Sequence, residues 1–318
     1  QLCQRIKNSI SMKFNKDEVC ILIPTLNEVL TIGDLVREFR EMGYNHILVI
    51  DGNSTDDTVK ISRENGADVR IQSEKGKGNA IIEAFEIISQ PYILMLDGDG
   101  TYSPKDAEKM LTPLFSDFDQ VIGDRLINAE KGAFSGLNLF GNHMVNFLFK
   151  VAHSHDLQDI LSGYRAFKKT AVQQMNLKET GFEIETEISV ESVRNSQRVK
   201  VVPIKYSRRP GTKTKLSPFH DGIKIVSTIY RLARMNNPMF YFGMMGIFTS
   251  VLGIVTGIYV FHEWLQGIDH IPLTILTVLL IVVGIEIFMF GMISDMLLIF
   301  HREIIREIQN LNSRKPPK

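Results

Sequence analysis

The chain has 318 residues, more than one average domain needs, and a formal net charge of zero, with 36 Lys and Arg balancing 36 Asp and Glu. That balance is uninformative over the chain as a whole and no nucleic-acid partner is expected, while two cysteines without C-x-x-C spacing, Cys3 and Cys20, read as a surface and a core thiol in a reducing compartment. A mean hydropathy of +0.00 with 44% hydrophobic residues hides two unlike parts, because the apolar residues concentrate late in the chain.

Residues 1–18 are polar and lack the apolar core of a signal peptide, and an opening Gln rather than Met is expected of a processed or trimmed N-terminus. Residues 19–24 form a continuous apolar run that predicts a buried strand, followed by Thr25-Leu26-Asn27-Glu28 and a helical pattern to about Met42. The alternation then repeats. Residues 46–50 predict a strand ending in Asp51-Gly52-Asn53-Ser54, with a helix from about Thr55; residues 69–72 predict another, followed by Glu74-Lys75-Gly76-Lys77-Gly78 and a helix to about Ser89. The next apolar run, residues 92–96, delivers two carboxylates, Asp97 and Asp99, at its end. Strands of this kind alternating with helices predict an α/β fold with a mostly parallel sheet covered on both faces, in which ligands bind beyond the carboxyl ends of the strands. Each polar cluster named so far lies at that edge.

Desolvating one carboxylate costs several kcal/mol, so a strand end carrying two of them needs a cation. Oxygen ligands of this type select Mg2+ or Mn2+, and Mg2+ binds through one or two carboxylates plus substrate phosphates, which points to a diphosphate beside Asp97 and Asp99. An isolated D-x-D is also found in solvated turns that cap a helix, here near Pro104; the surrounding clusters favour the ligand site. Neither the dinucleotide fingerprint G-x-G-x-x-G after the first strand nor G-x-x-x-x-G-K-[ST] occurs, which argues against a dehydrogenase or a P-loop enzyme.

Further along, Gly123-Asp124-Arg125 follows strand-like residues 120–122 and is expected to place Arg125 in a turn at the same edge. Residues 133–153 predict an amphipathic helix whose Leu137, Phe140, Met144, Phe147, Leu148 and Val151 pack a core or, as the alternative, dock at a membrane interface. Glu183-Ile184-Glu185-Thr186-Glu187 reads as the acidic first turn of a helix. From residue 192 to 220 there is no Asp or Glu but eight Lys and Arg; Arg194 and Arg198 read as a solvated face, and residues 208–215 as a basic Gly/Pro loop just ahead of a membrane. His143, His153, His155 and His220 lack the spacing of a zinc site.

Residues 240–261 carry no charge and are long enough to cross a bilayer core of about 30 Å. Residues 273–300 are also long enough but contain Glu286 and Asp295, which mark a polar helix contact or a homo-oligomer interface. Lys224, Arg231 and Arg234 precede the first run, Arg302 and Arg306 follow the second, and none lies between, so both flanks are expected on the cytoplasmic side. Residues 223–235 predict an interfacial helix running into the first span.

Ile23-Pro24-Thr25-Leu26-Asn27-Glu28, Asp51-Gly52-Asn53-Ser54-Thr55-Asp56, Gly76-Lys77-Gly78-Asn79-Ala80 and Asp97-Gly98-Asp99, in this order, resemble the successive signatures of family 2 inverting glycosyltransferases of the GT-A fold. The nearest resemblance is to polyprenyl-phosphate glycosyltransferases such as dolichyl-phosphate mannose or glucose synthases, over roughly residues 19–221 plus the hydrophobic tail. It implies a GT-A (Rossmann-like) domain over residues 19–219 after a polar segment 1–18, a juxtamembrane helix over 220–237, two transmembrane helices within 238–302 and a tail over 303–318. The catalytic domain and both termini would be cytoplasmic. The implied reaction is inverting transfer of a sugar from a nucleotide-sugar donor to polyprenyl or dolichyl phosphate, with Mg2+ or Mn2+ as cofactor and the bilayer as partner.

Carried over residue by residue, the resemblance makes Asp97, Asp99, Arg125, Arg209 and Lys215 the catalytic set, the last two matching a phosphate-contacting loop with Arg and Lys six residues apart. Donor binding falls to Pro24, Leu26, Glu28, Ile50, Asp51, Gly52, Lys77, Gly98 and Thr101, and metal binding to Asp97, Asp99 and Thr101. Asp159-Ile160-Leu161-Ser162-Gly163-Tyr164-Arg165 resembles D-x-x-S-G-F/Y-R, making Asp159, Ser162 and Arg165 acceptor-side residues, although an Asp159–Arg165 ion pair explains the carboxylate equally well. Asp51-Gly52 stands where the family often has an acidic pair, so base recognition differs from the mannose synthases and favours a UDP-sugar. Thr101 replaces a Gln that commonly assists the metal; its hydroxyl is a poorer ligand, so water or Asp97 fills the place. A processive synthase would carry Q-x-x-R-W, whereas Trp264 is the one tryptophan and lies between the apolar runs. A non-catalytic membrane scaffold or lipid-binding protein is the competing reading; the intact D-x-D, Arg125 and Lys215 oppose it, and two spans enclose too little for a transporter.

Overall fold

The computed structural model describes residues 15–153, 155–211, 223, 227 and 238–313. The strands are β1 (Val19–Thr25), β2 (His46–Asp51), β3 (Asp68–Ile71), β4 (Tyr92–Met95), β5 (Gln120–Ala129), β6 (Arg165–Lys168) and β7 (Val199–Tyr206). The helices among them are α1 (Ile32–Glu41), α2 (Thr58–Glu64), α3 (Lys77–Ile87), α4 (Ala107–Leu111), α5 (Gly136–His153), α6 (Lys169–Val172) and α7 (Ile184–Arg194). One seven-stranded sheet has the order β3-β2-β1-β4-β6-β5-β7. β1 is parallel to β2 and β4, β2 to β3, and β5 to β7; only β6 is reversed, antiparallel to β4 and β5. The strand order reverses direction at β1, so the carboxyl ends of β1 and β4 flank a switch point, where such sheets open a ligand crevice.

Both faces of the sheet are covered, as continuous apolar strands require. Alternate residues of β1 point to opposite faces. Val19, Ile21 and Ile23 pack with Ile32, Val36 and Phe39 of α1 and with Met110 and Leu111 of α4. Cys20 and Leu22 pack with Ile81, Ala84 and Phe85 of α3 and with Ile184 and Ile188 of α7. Each fully buried Ile, Leu or Phe contributes about 1.5–3 kcal/mol, so these two layers fix the height of β1 and β4 and hence of the loops at their ends. Cys20 is the expected core thiol, pushed up to about 12 by burial.

Two local expectations are corrected. Residues 123–125 do not form a turn: β5 runs on to Ala129, because β7 pairs along it past an irregularity between Asp124 and Asn128, and Arg125 lies inside the strand. The stripe on α5 is not core. Leu137, Phe140, Met144, Phe147 and Val151 are exposed, and a second stripe of Asn142, Val145, Phe149 and Ala152 faces inward instead.

The chain divides into two compact units, Gln1–Ile229 and Tyr230–Lys318. In the second, α8 (Pro238–Leu265) and α9 (Ile271–Ser313) form a hairpin. Their segments Met239–Leu265 and Ile271–Phe300, 27 and 30 residues with mean hydropathy 1.9 and 2.7, are long and apolar enough to cross a membrane. Glycine lets the two backbones touch: a β-carbon on Gly284 would lie 2.7 Å from the Ser250 nitrogen and 2.8 Å from the Gly246 carbonyl oxygen. The Thr277 hydroxyl meets that of Thr256 at 3.1 Å across the same seam. Glu286 is exposed on α9 and Asp295 half-buried. Lys213, Lys215 and, apart from positions 223 and 227, the segment 223–235 lie outside the described residues.

Candidate active site

After β4 the chain turns through Asp97-Gly98-Asp99 across the end of β1. A β-carbon on Gly98 would meet Thr25 Cγ2 at 2.6 Å, so a larger residue could not lie this close. The Thr31 hydroxyl donates to the Gly98 carbonyl at 2.6 Å and Gly100 takes a φ of +73°, which fixes the turn. Both carboxylates are thereby presented at the switch point.

Asp97 is paired from the side. Lys77, the first residue of α3, places Nζ 2.5 Å from Asp97 Oδ1 and 2.6 Å from Glu185 Oε1 on α7. Burial by itself would lower the Lys77 ammonium, but Asp97 and Glu185 together outweigh it and hold it raised and charged. The Phe182 ring lies 5.8 Å from the same Nζ. The Gly76-Lys77-Gly78 backbone is packed hard against residues 179–180: Gly78 N donates to the Thr180 carbonyl at 2.9 Å, and β-carbons on Gly76 and Gly78 would sit 2.1 and 1.9 Å from the carbonyl oxygens of Thr180 and Glu179. Asp97 Oδ2 rests against Gly163, where a β-carbon would come within 2.6 Å.

Asp99 is held differently. Its Oδ1 accepts from the Thr101 backbone N–H at 3.1 Å and from the Thr101 hydroxyl at 2.6 Å, so the hydroxyl proton of Thr101 is directed at Asp99. Its Oδ2 lies 3.7 Å from Arg209 Nη1, and Arg209 Nη2 reaches Glu28 Oε1 at 2.5 Å. Burial and then the neighbouring Asp97 charge raise the Asp99 carboxyl above its ordinary value. The structure thus brings Asp97, Asp99, Lys77, Arg209, Glu28, Gly98 and Thr101 to one edge.

The ends of β1 and β2 form the adjoining wall, with Pro24 in register with Ile50 and Thr25 with Asp51. Asp51 is buried, accepting from Ser54 N at 2.7 Å and from the Ser54 hydroxyl at 2.6 Å, and Gly52 N donates to the Thr25 carbonyl at 2.8 Å. The Asp51 carboxylate therefore shapes the loop, while Leu26 is exposed beside it. Asn27 and Asn53 take left-handed φ values of 51° and 65°, and the Asn27 side chain receives Thr55 N at 2.8 Å, locking the two loops together.

Asp159 pairs with Arg125, not with Arg165. Arg125 Nε and Nη2 reach its two oxygens at 2.7 Å each, and the Arg125 backbone N–H adds a third contact at 3.0 Å. The rings of Phe134 and Tyr206 lie 5.6 and 5.4 Å from this guanidinium. Arg165 is fully buried and donates to the carbonyls of Ser162 at 2.8 Å and Ile160 at 2.6 Å and to the Ser189 hydroxyl at 2.9 Å; burial lowers it to about 10. Ser162 is buried too, its hydroxyl accepting from Tyr164 N at 3.3 Å. These residues tie the loop before β6 to the sheet.

The acidic segment is the first turn of α7, as expected, and it is buried. Glu187 accepts from the N–H groups of Lys178 and Glu179 at 2.9 and 2.8 Å, Glu191 from Asn176 at 3.0 Å, and Glu185 holds Lys77. The sequence named Glu185 only as part of an acidic turn; its role beside Lys77 was missed, because the two residues are distant in the chain. Among the described residues no group of three or more His, Cys, Asp or Glu side chains forms a self-sufficient metal site. The two carboxylates at the turn, with side-chain exposures of 26% and 17%, are a hard oxygen donor set that fits a divalent cation completing its shell with phosphate and water.

The sequence pattern of Glycosyl transferase family 2 matches residues 20–175, a span that contains β1 from its second residue, β2 to β6, the Gly-Lys-Gly segment and the Asp97 turn. Glycosyltransferase AglJ of Haloferax volcanii is 45% identical over 298 residues, 93% of this chain and 98% of that protein. A UDP-N-acetylglucosamine–dolichyl-phosphate N-acetylglucosaminyltransferase of Methanococcus voltae is 28% identical over 67% of this chain and 94% of its own. Glucosyl-3-phosphoglycerate synthase of Mycobacterium tuberculosis, crystallised with Mn2+ and UDP-glucose, superposes with a TM-score of 0.57 over 68% of this chain and 78% of its own at 17% identity, a likeness of fold. With a relative this similar along nearly its whole length, the chain belongs to the family 2 glycosyltransferases.

Proposed function

We propose that this glycosyltransferase moves a sugar from a nucleotide-sugar, a UDP-sugar in preference to GDP-mannose, onto polyprenyl or dolichyl phosphate at a membrane surface, with inversion. The observation that carries the reading is the pairing of a carboxylate-rich switch point in the first unit with two bilayer-length apolar helices in the second. The activity of the Methanococcus voltae relative, named for a UDP-sugar and a dolichyl phosphate, supports both substrates. The exposed apolar stripe of α5 suits the lipid–water boundary, and the basic loop that contains Arg209 and Lys215 suits a phosphate there.

A lipid monophosphate has a second pKa near ~6 and is largely dianionic at neutral pH, so it attacks the anomeric carbon without a general base. The barrier that remains is the charge of the leaving diphosphate and the alignment of the two reactants. Asp97 and Asp99 would hold Mg2+ or Mn2+, which would neutralise the diphosphate when bound. Lys77 and Arg209 add positive charge on the flanks, Thr101 orients Asp99, and the loops at Leu26, Glu28, Ile50, Asp51 and Gly52 hold the nucleoside. Asp159 fixes the Arg125 guanidinium, and the pair would position the acceptor side. The intact D-G-D turn, Arg125 and Lys215 speak against a degenerate scaffold.

A screen of UDP- and GDP-sugars with polyprenyl phosphate, scored for lipid-linked product and for anomeric configuration, tests the reading. A product formed on lipid phosphate from a UDP-sugar is expected. Free sugar or transfer to a soluble acceptor alone would defeat it.

A further inference from the structure

Lys77 is held by two carboxylates at once, on Asp97 at 2.5 Å and on Glu185 at 2.6 Å, and only one of them belongs to the D-G-D turn. Glu185 is buried on α7, where an unpaired carboxylate would be costly, and Lys77 is its ion-pair partner. If Lys77 served only to neutralise Asp97, the Glu185 contact would be redundant. A divalent cation on Asp97 would compete with the ammonium for the same carboxylate and repel it. The lysine cannot leave easily, because Gly76 and Gly78 clamp its backbone against residues 179–180, only a few residues before Glu185. The clamp and the second carboxylate therefore come from the same stretch of chain.

Building on the metal reading given under Proposed function, we infer that Glu185 is a positioning residue: it receives the Lys77 ammonium when a divalent cation takes Asp97, and keeps it beside the donor diphosphate as a second positive charge. Lys77 is then a resident counter-ion of the metal-free site and a diphosphate contact of the loaded one. The same pattern recurs across the turn, where Arg209 bridges Asp99 and Glu28.

The test is Mn2+ binding to the full-length chain in detergent, read from the electron paramagnetic resonance of free Mn2+, followed by UDP binding at saturating Mn2+. Lys77→Gln removes the competitor and is expected to bind Mn2+ about tenfold more tightly, as loss of one nearby positive charge in a partly desolvated site implies. The same variant should bind UDP about tenfold more weakly. Glu185→Gln, nearly isosteric, leaves Lys77 on Asp97 alone, so Mn2+ and UDP should both weaken. In the Lys77→Gln background Glu185→Gln should change Mn2+ affinity by no more than about twofold, since the ammonium it would have received is absent. Lys77→Arg, which keeps the charge, should stay near wild type. Lys77→Gln binding Mn2+ no more tightly than wild type, or Glu185→Gln losing as much without Lys77 as with it, overturns the inference while leaving the transfer reaction standing. A wild-type chain that binds no Mn2+ at all overturns the metal reading itself, and this inference with it.

Discussion

Asp159→Asn separates an anchoring role from an acceptor-binding one. Asp159 is fully buried and accepts three hydrogen bonds from Arg125, two of them a bidentate pair at 2.7 Å. Asparagine keeps the volume but removes the charge and replaces one acceptor oxygen by an NH2 group facing the guanidinium. Arg125, itself buried, is left as an uncompensated cation, and breaking one side of a buried pair costs about 3–5 kcal/mol. For a unit of this size about 1 kcal/mol moves Tm by 2–4 °C, so a fall of about 6–20 °C is expected. Circular dichroism of the full-length chain in detergent reads it. Replacing both partners by leucine should recover a large part of the loss, because no buried charge is then stranded. A Tm within about 2 °C of wild type together with a raised KM for lipid phosphate would refute the anchoring argument and make Asp159 an acceptor ligand.

Asp99→Asn removes charge without volume at the edge of the sheet and should abolish metal-dependent transfer while the circular dichroism melt stays close to wild type; near-normal turnover would sink the metal assignment. Gly78→Ala drives a β-carbon to 1.9 Å from the Glu179 carbonyl oxygen, so the start of α3 must part from residues 179–180, at a cost of at least about 1–3 kcal/mol in Tm-derived stability and with loss of UDP binding. Burial raises Glu187 from 4.5 to about 7, so between those pH values the folded chain holds a proton that the unfolded chain has lost, and the residue withdraws stability as pH rises through that window. The Tm of Glu187→Gln minus that of wild type should therefore climb from pH 4.5 to 7 and level off above it; a flat difference would show that Glu187 does not titrate there. Gly284→Leu must push α8 from α9, because its β-carbon would lie 2.7 Å from the Ser250 nitrogen, and an earlier unfolding transition in the fluorescence of Trp264 is the expected sign.

The parallel half of the sheet was legible because β1, β2 and β4 are continuous apolar runs bounded by Pro24, Asp51 and Asp97, and local composition alone marks such strands; β3, Asp68-Val69-Arg70-Ile71, is the weaker signal. The D-G-D turn and the Gly-Lys-Gly segment were legible as types for the same reason. What sequence could not give was pairing at long range. The reversal of β6 depends on its position between β4 and β5, which no feature of its four residues announces. Arg125 was expected in a turn because residues 123–125 follow strand-like residues 120–122, yet the strand runs on and Gly123 serves close packing: its β-carbon would lie 2.7 Å from Ile204 Cδ1 of β7. The choice of Arg125 over Arg165 as the Asp159 partner was equally hidden, since both arginines are buried and only the direction of β5 brings one of them onto the carboxylate. The stripe on α5 shows periodicity without direction: the apolar positions were right, and their exposure is a tertiary fact.

The pairing of the turn carboxylates also changes what their charge implies. Two acidic side chains at a strand end demand positive charge, and from the sequence that demand pointed to a metal. In the folded chain Lys77 and Arg209 already meet it, each shared with a glutamate on a different element. The case for a divalent cation therefore rests on hard oxygen donors placed at a switch point, where the proposed donor would bring its diphosphate, not on uncompensated charge. A site compensated by its own cations keeps its geometry before any ligand arrives, because no bare carboxylate pair pushes the turn apart. The cost is competition, since whatever binds Asp97 and Asp99 must first displace a lysine and an arginine. A ligand that brings both a dication and a diphosphate satisfies both sides at once: the carboxylates take the metal and the displaced cations find the phosphates. Metal and nucleotide should accordingly bind with positive coupling, and Mn2+ affinity measured with UDP present should exceed that measured without it by about tenfold or more, a coupling of about 1.4 kcal/mol. Independent binding of the two would mean that Lys77 and Arg209 stay on their carboxylates throughout, and that the ion pairs at this edge are scaffolding.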